Sequence, residues 1–261
     1  EKKFKIYKLN LDNIDEIKYV ISSVKPDEIY HLSAQSSVGL SYIQPIETQK
    51  SIVNATLNLL EACRIKKFHG VIFCAGSGDI FGETKYPATI NSPIDIRNSY
   101  ALAKYQTYEI VKFYRDFYNL NVVTGILFNH ESYLRNEQFV SHKIIKSAIE
   151  SSQDKSKKFK FGNLNISRDW GWAEEYVEAM QVITRAKNLQ DQIICTGKAT
   201  TLKDFLDKTF KLLNLNWQDH IEIDENLKRK NDVSKNYGDP RLLFKVHNWK
   251  AEISIDDIIY K

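Results

Sequence analysis

Over the first half of the chain, short β-rich runs alternate with longer helix-period runs, and this limits the fold more than any other feature. Residues 4–9 read as a strand. Asp12 then offers a helix N-cap before Ile14, Ile17, Val20, Ile21 and Val24 at helical spacing. Pro26-Asp27 marks a turn, and residues 28–34 form the next strand. A helix over 45–64 carries Ile52, Ala55, Leu59, Leu60 and Cys63 on one face, and 71–75 is an almost wholly apolar strand. Residues 98–118 are helical and 122–128 are again a buried strand. Strands separated by helices in this way pair in parallel through right-handed crossovers. The expected fold is α/β, a doubly wound parallel sheet.

Beyond Phe128 the rhythm changes. Helices are expected at 138–152, 173–186, 202–213, 240–246 and 254–260, and strands at 159–162 and 193–196. A solvated lysine-rich stretch covers 154–160, and a tryptophan-containing loop covers 168–172. The reading assigns 1–129, with 165–196, to a cofactor-binding half. A smaller mixed α/β lobe takes 130–164 and 197–261.

Composition removes several function classes. Lys and Arg number 37 against 33 Asp and Glu, so the net charge of +4 is too slight and too evenly spread for a nucleic-acid binder. The three cysteines, Cys63, Cys74 and Cys195, lie far apart and suggest neither a disulfide framework nor zinc spacing; no metal is expected and a reducing, cytoplasmic setting is. Apolar runs are too short for a membrane span or a signal peptide. Glycine is scarce, at 10 residues, and its first occurrence is Gly39. A nucleotide-binding sheet normally opens with a strand, a glycine-rich turn and a helix that seats pyrophosphate. The expectation is that such a segment precedes the sequence given.

Two sets of residues carry chemistry. Tyr100 and Lys104 lie four apart on the 98–118 helix and so share one face. An ammonium near a phenol lowers the phenol's pKa and makes a tyrosinate base accessible. Spacing alone is weak, because Tyr108 and Lys112 repeat it eight residues later. About twenty residues before Tyr100, the strand at 71–75 runs into Gly76-Ser77-Gly78-Asp79. This sets a hydroxyl and a carboxylate at the carboxyl end of a parallel strand, where open α/β sheets bind ligands.

Strand–Ser-x-x-x-aromatic-Gly followed by Tyr-x-x-x-Lys resembles the extended short-chain dehydrogenase/reductases that act on nucleotide sugars, which have a Rossmann fold. Pro26-Asp27-Glu28-Ile29-Tyr30-His31-Leu32-Ser33-Ala34-Gln35-Ser36 is similar to that group's third-to-fourth strand region. Further blocks resemble the GDP-mannose 4,6-dehydratases: Ile126-Leu127-Phe128-Asn129-His130-Glu131-Ser132 with Arg135, then Phe139-Val140-Ser141-His142-Lys143-Ile144, and Gly162-Asn163-Leu164 with Arg168-Asp169-Trp170-Gly171.

The resemblance implies an NADP-dependent hydro-lyase acting on a GDP-hexose, GDP-mannose first, with NAD as the alternative to NADP. Tyr100 would be the catalytic base, with Lys104, Ser77 and Asp79 beside it. Asn10, Leu11, Leu32, Ser33, Ala34, Gln35, Ser36, Tyr100, Lys104, His130 and Arg135 would line the cofactor. Asn129, Lys143 and Arg168 would face the sugar nucleotide. It also implies a homodimer, or a tetramer built from one. Two rival readings stand beside it: an epimerase or 4-ketoreductase of the same fold, and a binding protein impaired in catalysis.

One departure bears on mechanism. The family's Thr-Ser-Glu reads Ser77-Gly78-Asp79 here, so the carboxylate loses about 1.5 Å of reach.

Overall fold

The computed structural model describes residues 4–227 and 232–261. The chain divides into two compact units, residues 1–80, 98–126 and 180–192 in the first and 81–97, 127–179 and 193–261 in the second.

In the first unit, helix α1 (Ile14–Val24) is capped by Asn13, not Asp12. The Asn13 Oδ1 accepts from the Asp15 and Glu16 amides at 3.1 and 3.4 Å. Both residue types cap well, and a start at Asn13 turns Ile17 and Ile21 into the core. Residues 4–9 belong to no strand, contrary to their apolar pattern. A strand is held by ladder bonds to a neighbour, and no described strand pairs with this run; Phe4 and Ile6 are 85% and 83% exposed.

Strand β1 (Glu28–His31) pairs in parallel with β2 (Val71–Ser77), in register from Glu28 opposite Val71 to His31 opposite Cys74. Between them run α2 (Val38–Ile43), α3 (Pro45–Gln49), a π-helical turn (Lys50–Asn54) and α4 (Ala55–Ile65). The helix expected at 45–64 is therefore present with one widened turn inside it. β2 continues past Ala75 to Ser77 and passes into a 3₁₀ turn (Gly78–Phe81). Gly76 is needed at this strand end, because a Cβ there would sit 2.8 Å from Thr124 Cγ2.

Helix α5 (Ser99–Tyr118) starts where Asn98 Oδ1 accepts the Ala101 amide at 2.8 Å, and it ends at Asn119 in the left-handed conformation. Strand β3 (Val122–Leu127) lies beside β2 in a four-stranded sheet whose order begins β1-β2-β3. Ile17 and Ile21 of α1, Leu59, Leu60 and Cys63 of α4, Ile72 and Cys74 of β2, and Val111 and Tyr114 of α5 close one core. Arg115 fastens α5 by a two-pronged ion pair to Asp191 at 2.8 and 2.9 Å. The same carboxylate accepts the Thr124 amide at 2.8 Å.

The second unit contains β4 (Asn129–Glu131), α6 (Val140–Gln153), β5 (Phe159–Phe161) and β6 (Ser167–Trp172), followed by α7 (Ala173–Thr184), whose last turn belongs to the first unit. β7 (Gln192–Ile194), β8 (Ala199–Thr201), α8 (Leu202–Leu212), β9 (Ile221–Ile223), β10 (Lys235–Asn236), α9 (Arg241–His247) and α10 (Ile255–Tyr260) follow. β6 pairs in parallel with β4 and β10 and antiparallel with β8, while β5 pairs in parallel with β9.

The segment expected as a tryptophan loop is thus the central strand of this unit. Its pattern hides the strand, because Asp169, Trp170, Gly171 and Trp172 are all buried and no polar alternation remains. Gly171 admits the ring of Tyr176, which a Cβ would meet at 2.3 Å. Ile144, Ala148, Phe161, Trp170, Leu202, Phe205 and Phe210 form the core beside it. Among the described residues, no helix is long and apolar enough to cross a membrane.

Candidate active site

The first unit gathers all four residues expected to carry chemistry. Ser77 ends β2, is 8% exposed, and its Oγ accepts the Asp79 amide at 3.3 Å. Asp79 stands half-buried in the 3₁₀ turn that follows. Tyr100 lies in the first turn of α5, packed with Ala103 against Ile52 of the π turn, and with Ala34 and Val38 at the edge of that cluster.

One turn further along, the Lys104 Nζ is 5.9 Å from the centre of the Tyr100 ring and donates to the Ala75 carbonyl of β2 at 2.7 Å. Burial disfavours its cation and pushes its pKa down to about 8, with the neighbouring Cys74 acting weakly in the opposite sense. An amine so placed is a charge held beside a phenol, bonded to a neutral carbonyl rather than to a carboxylate.

The chain leaves β1 at His31, and the run from Leu32 to Ser37 passes over the carboxyl end of the strand instead of continuing in the sheet to residue 34. Leu32 is 51% exposed, and Ser33 and Ser36 are exposed as well. Inside, His31 is buried, with its Nε2 3.0 Å from Thr56 Oγ1 and its Nδ1 3.1 Å from Ser33 Oγ. Burial, with help from the Lys104 charge, pushes the imidazole down to about 4 and keeps it neutral. Gln35 donates from Nε2 to Thr48 Oγ1 at 2.9 Å and accepts the Ser37 amide at 2.6 Å. Asn10 bonds locally, its amide to Glu16 at 2.9 Å, and Leu11 packs against the first core.

These features suit a dinucleotide. An exposed leucine and two exposed serines lie at the carboxyl end of a parallel strand, and a buried amine lies at the end of the next. This is the side on which such sheets take up ligands.

His130, Arg135, Asn129, Lys143 and Arg168 belong to the second unit. The His130 Nδ1 donates to the Phe128 carbonyl at 2.9 Å, and its ring lies 5.0 Å from that of Tyr176. Arg135 spreads over the Phe139 ring at 3.6 Å and pairs with Glu131 at 3.2 Å. Glu131 is buried, accepts from Ser141 Oγ at 2.7 Å, and is raised in pKa by that burial against the pull of Arg135. Asn129 opens β4 beside Trp170 of β6. Lys143 donates to the Lys160 carbonyl at 2.6 Å and rests over Phe161. Arg168 bonds the carbonyls of Ser167 and Val233 at 2.9 and 2.8 Å and pairs with Asp232 at 3.3 Å. Its neighbour Asp169 is fully buried and accepts from Thr196 and from the Gly197 amide.

No sequence motif singles out Thr48, Thr56 or Asp232, and Glu131 lies in a motif that gives it no role. The threonines sit within an ordinary helical face, and only the folded structure shows what meets their hydroxyls.

Comparison with known proteins fixes the lineage. The profile of the GDP-mannose 4,6 dehydratase family matches residues 1–261. GDP-mannose 4,6 dehydratase 1 of Arabidopsis thaliana is 34% identical over 259 residues, covering 98% of this chain and 72% of that protein. The GDP-mannose 4,6 dehydratase of Homo sapiens is 31% identical over 260 residues, covering 92% and 70%. Among solved structures, RMD from Pseudomonas aeruginosa complexed with NADPH superposes with a TM-score of 0.85 at 20% identity, covering 97% of this chain and 85% of that one. DesIV, a dTDP-glucose 4,6-dehydratase from Streptomyces venezuelae with NAD bound, gives 0.85 at 14% identity, covering 96% and 77%. These structural likenesses establish the α/β fold. By sequence along its whole length, the chain belongs to the GDP-mannose 4,6-dehydratase family.

Proposed function

We propose that this protein is a nucleotide-sugar dehydratase that converts GDP-mannose, or a close GDP-hexose, to its 4-keto-6-deoxy derivative. The observation that carries the reading is the buried Lys104 ammonium one turn from Tyr100, bonded to the strand that ends in Ser77. In this reading Tyr100, favoured as tyrosinate by Lys104, accepts the proton of the C4 hydroxyl. Ser77 donates a hydrogen bond to the C4 oxygen as its charge develops. The 4-ketone acidifies the C5 proton, which Asp79 removes and passes to the C6 hydroxyl as that group leaves as water. The proton taken up by Tyr100 is returned at C5 when hydride reaches C6. A bound nicotinamide supplies reversible hydride storage between C4 and C6.

The cofactor is read as NADP, lined by residues 32–36 with Asn10, Leu11, Lys104, His130 and Arg135. Asn129, Lys143 and Arg168 serve the sugar nucleotide, the two cations facing its diphosphate. Residues 1–129 with 165–196 are the cofactor half, and 130–164 with 197–261 the substrate lobe. Free, buried cysteines agree with a reducing cytoplasmic setting.

Incubation of the cofactor-loaded protein with GDP-mannose, followed by detection of the 4-keto product, tests the reading. Absence of turnover of every GDP-hexose overturns it. Asp79→Asn separates it from an epimerase or ketoreductase: a dehydratase loses water elimination by on the order of 10³-fold, whereas those enzymes need no carboxylate there.

Helices α4 and α5 also leave an apolar face uncovered. Phe113, Phe117 and Leu57 are 46%, 71% and 39% exposed, and Phe113 stacks on Phe117 at 4.8 Å. We read this face as the two-fold contact of a homodimer, whose self-pairing would bury it. Sedimentation at micromolar concentration should return a dimer, and Phe117→Glu should shift it to monomer.

A further inference from the structure

Thr48 and Thr56 share a bonding habit that their sequence context does not announce. Each donates its own hydroxyl proton to the carbonyl four residues back, Thr48 to Gln44 at 2.8 Å and Thr56 to Ile52 at 2.7 Å. With its proton spent, each oxygen is left as an acceptor. Each then receives one side chain from the run that leaves β1: Thr48 takes Gln35 Nε2 at 2.9 Å and Thr56 takes His31 Nε2 at 3.0 Å.

The direction of the second chain is thereby fixed from end to end. His31 must carry its proton on Nε2, so its Nδ1 is an acceptor, and Ser33 must point its hydroxyl proton inward to it at 3.1 Å. The outward side of Ser33 is then lone pairs only. It offers a ligand an acceptor suited to a hydroxyl or an amide N–H and ill suited to a phosphate oxygen.

The widened turn at Lys50–Asn54 makes the pair of stitches possible. In a regular α-helix, positions eight apart fall about 80° out of line. A turn closed by i→i+5 bonds rotates less per residue, which brings Thr48 and Thr56 back toward one edge, facing a single extended segment. The same turn presents Ile52 to Tyr100 and Ala34.

We propose that Thr48 and Thr56 are positioning residues for the nicotinamide cofactor, holding the segment 32–36 in place and, through His31, setting Ser33 as a hydrogen-bond acceptor toward a ribose or carboxamide group. The proposal rests on the reading of 32–36 as a cofactor-lining segment. Neither threonine touches reacting atoms.

Thr48→Val and Thr56→Val keep the side-chain shape and remove the hydroxyl, and Thr56→Ser restores it. Titration with NADPH, read by energy transfer from protein fluorescence, should show affinity weakened about 5- to 10-fold in each Val variant and recovered in Thr56→Ser. At saturating cofactor, kcat and the KM for GDP-mannose should stay within about twofold of the parent. Nitrogen-15 spectra at pH 7 should show His31 as the Nε2–H tautomer in the parent and lose that preference in Thr56→Val.

Val variants that melt earlier but bind NADPH as the parent does would make the threonines merely structural and overturn the proposal. An Nδ1–H tautomer in the parent overturns it equally. Leu32→Asp and Ser33→Ala identify which layer has failed. If they weaken NADPH binding while the Thr variants do not, only the present inference falls. If they too leave binding unchanged, the cofactor reading of 32–36 falls with it.

Discussion

Helix α5 carries two tyrosine–lysine pairs of identical spacing, and their surroundings give them opposite character. In both, the ammonium lies just under 6 Å from the phenol ring, at 5.9 Å for Lys104 and 5.6 Å for Lys112. Lys104 is buried, bonded to a carbonyl and depressed in pKa to about 8. Lys112 is half-buried, its side chain 41% exposed, and faces the Glu109 carboxylate at 3.9 Å. Burial, followed by the Asp191 charge, pushes Tyr108 up to about 12, away from what a base needs. Spacing along a helix brings two groups together, but the dielectric around the cation and the identity of its partner decide whether the pair has chemistry.

Substitution at both pairs tests this contrast. Tyr100→Phe should lower kcat by on the order of 10³-fold, whereas Tyr108→Phe should stay within about twofold; equal losses would show the two pairs to be alike. A smaller effect concerns stability. Because Lys104 is depressed from 10.5 to about 8, its buried charge costs on the order of 3 kcal/mol below pH 8. Between pH 8 and 10.5 the folded state has shed the proton and the unfolded state still holds it, so stability rises with pH over that window. Lys104→Met should therefore abolish activity yet gain about 1–2 kcal/mol at pH 7 after losing the bond to Ala75, and the alkaline rise should vanish. Lys112→Met should change neither. Urea unfolding of each variant at pH 7, 8 and 10 measures both effects. The smallest effect is on His31, held near 4 by burial first and the Lys104 charge second. Its titration, followed by NMR, should move up by a fraction of a unit in Lys104→Met and not move in Lys112→Met.

What the sequence made legible follows the same division between pattern and surroundings. Periodicity located α1, α5 and the apolar strands β2 and β3, because each buries one face or both against a core that repeats at its own period. It misplaced what depends on a partner. Residues 4–9 have the apolar content of a strand but pair with no described strand, and β6 looked like a loop because burial on both faces erased its alternation. Ser77, Asp79, Tyr100 and Lys104 were legible as a motif and do fall together in the first unit. The hydroxyls of Thr48 and Thr56 were not legible, since their partners lie 13 and 25 residues away in sequence and no local spacing encodes that meeting.

The widened turn at Lys50–Asn54 also constrains how this chain can drift in length. That turn holds one residue more than the α-helical turn it replaces. Removing one residue there would let the helix close as a uniform α-helix, with Thr48 and Thr56 seven positions apart and about 20° out of line. Thr56 would keep its histidine, and Leu59, Leu60 and Cys63 the core they share with α1 and β2. A deletion in the regular first turn of α4, by contrast, would rotate the core residues beyond it by about 100°. Surface loops usually absorb insertions and deletions without consequence. This five-residue stretch lets a helix do the same: a one-residue deletion here would leave the edge that holds residues 32–36 and the hydrophobic core in register, while the same deletion inside α4 would disturb the core.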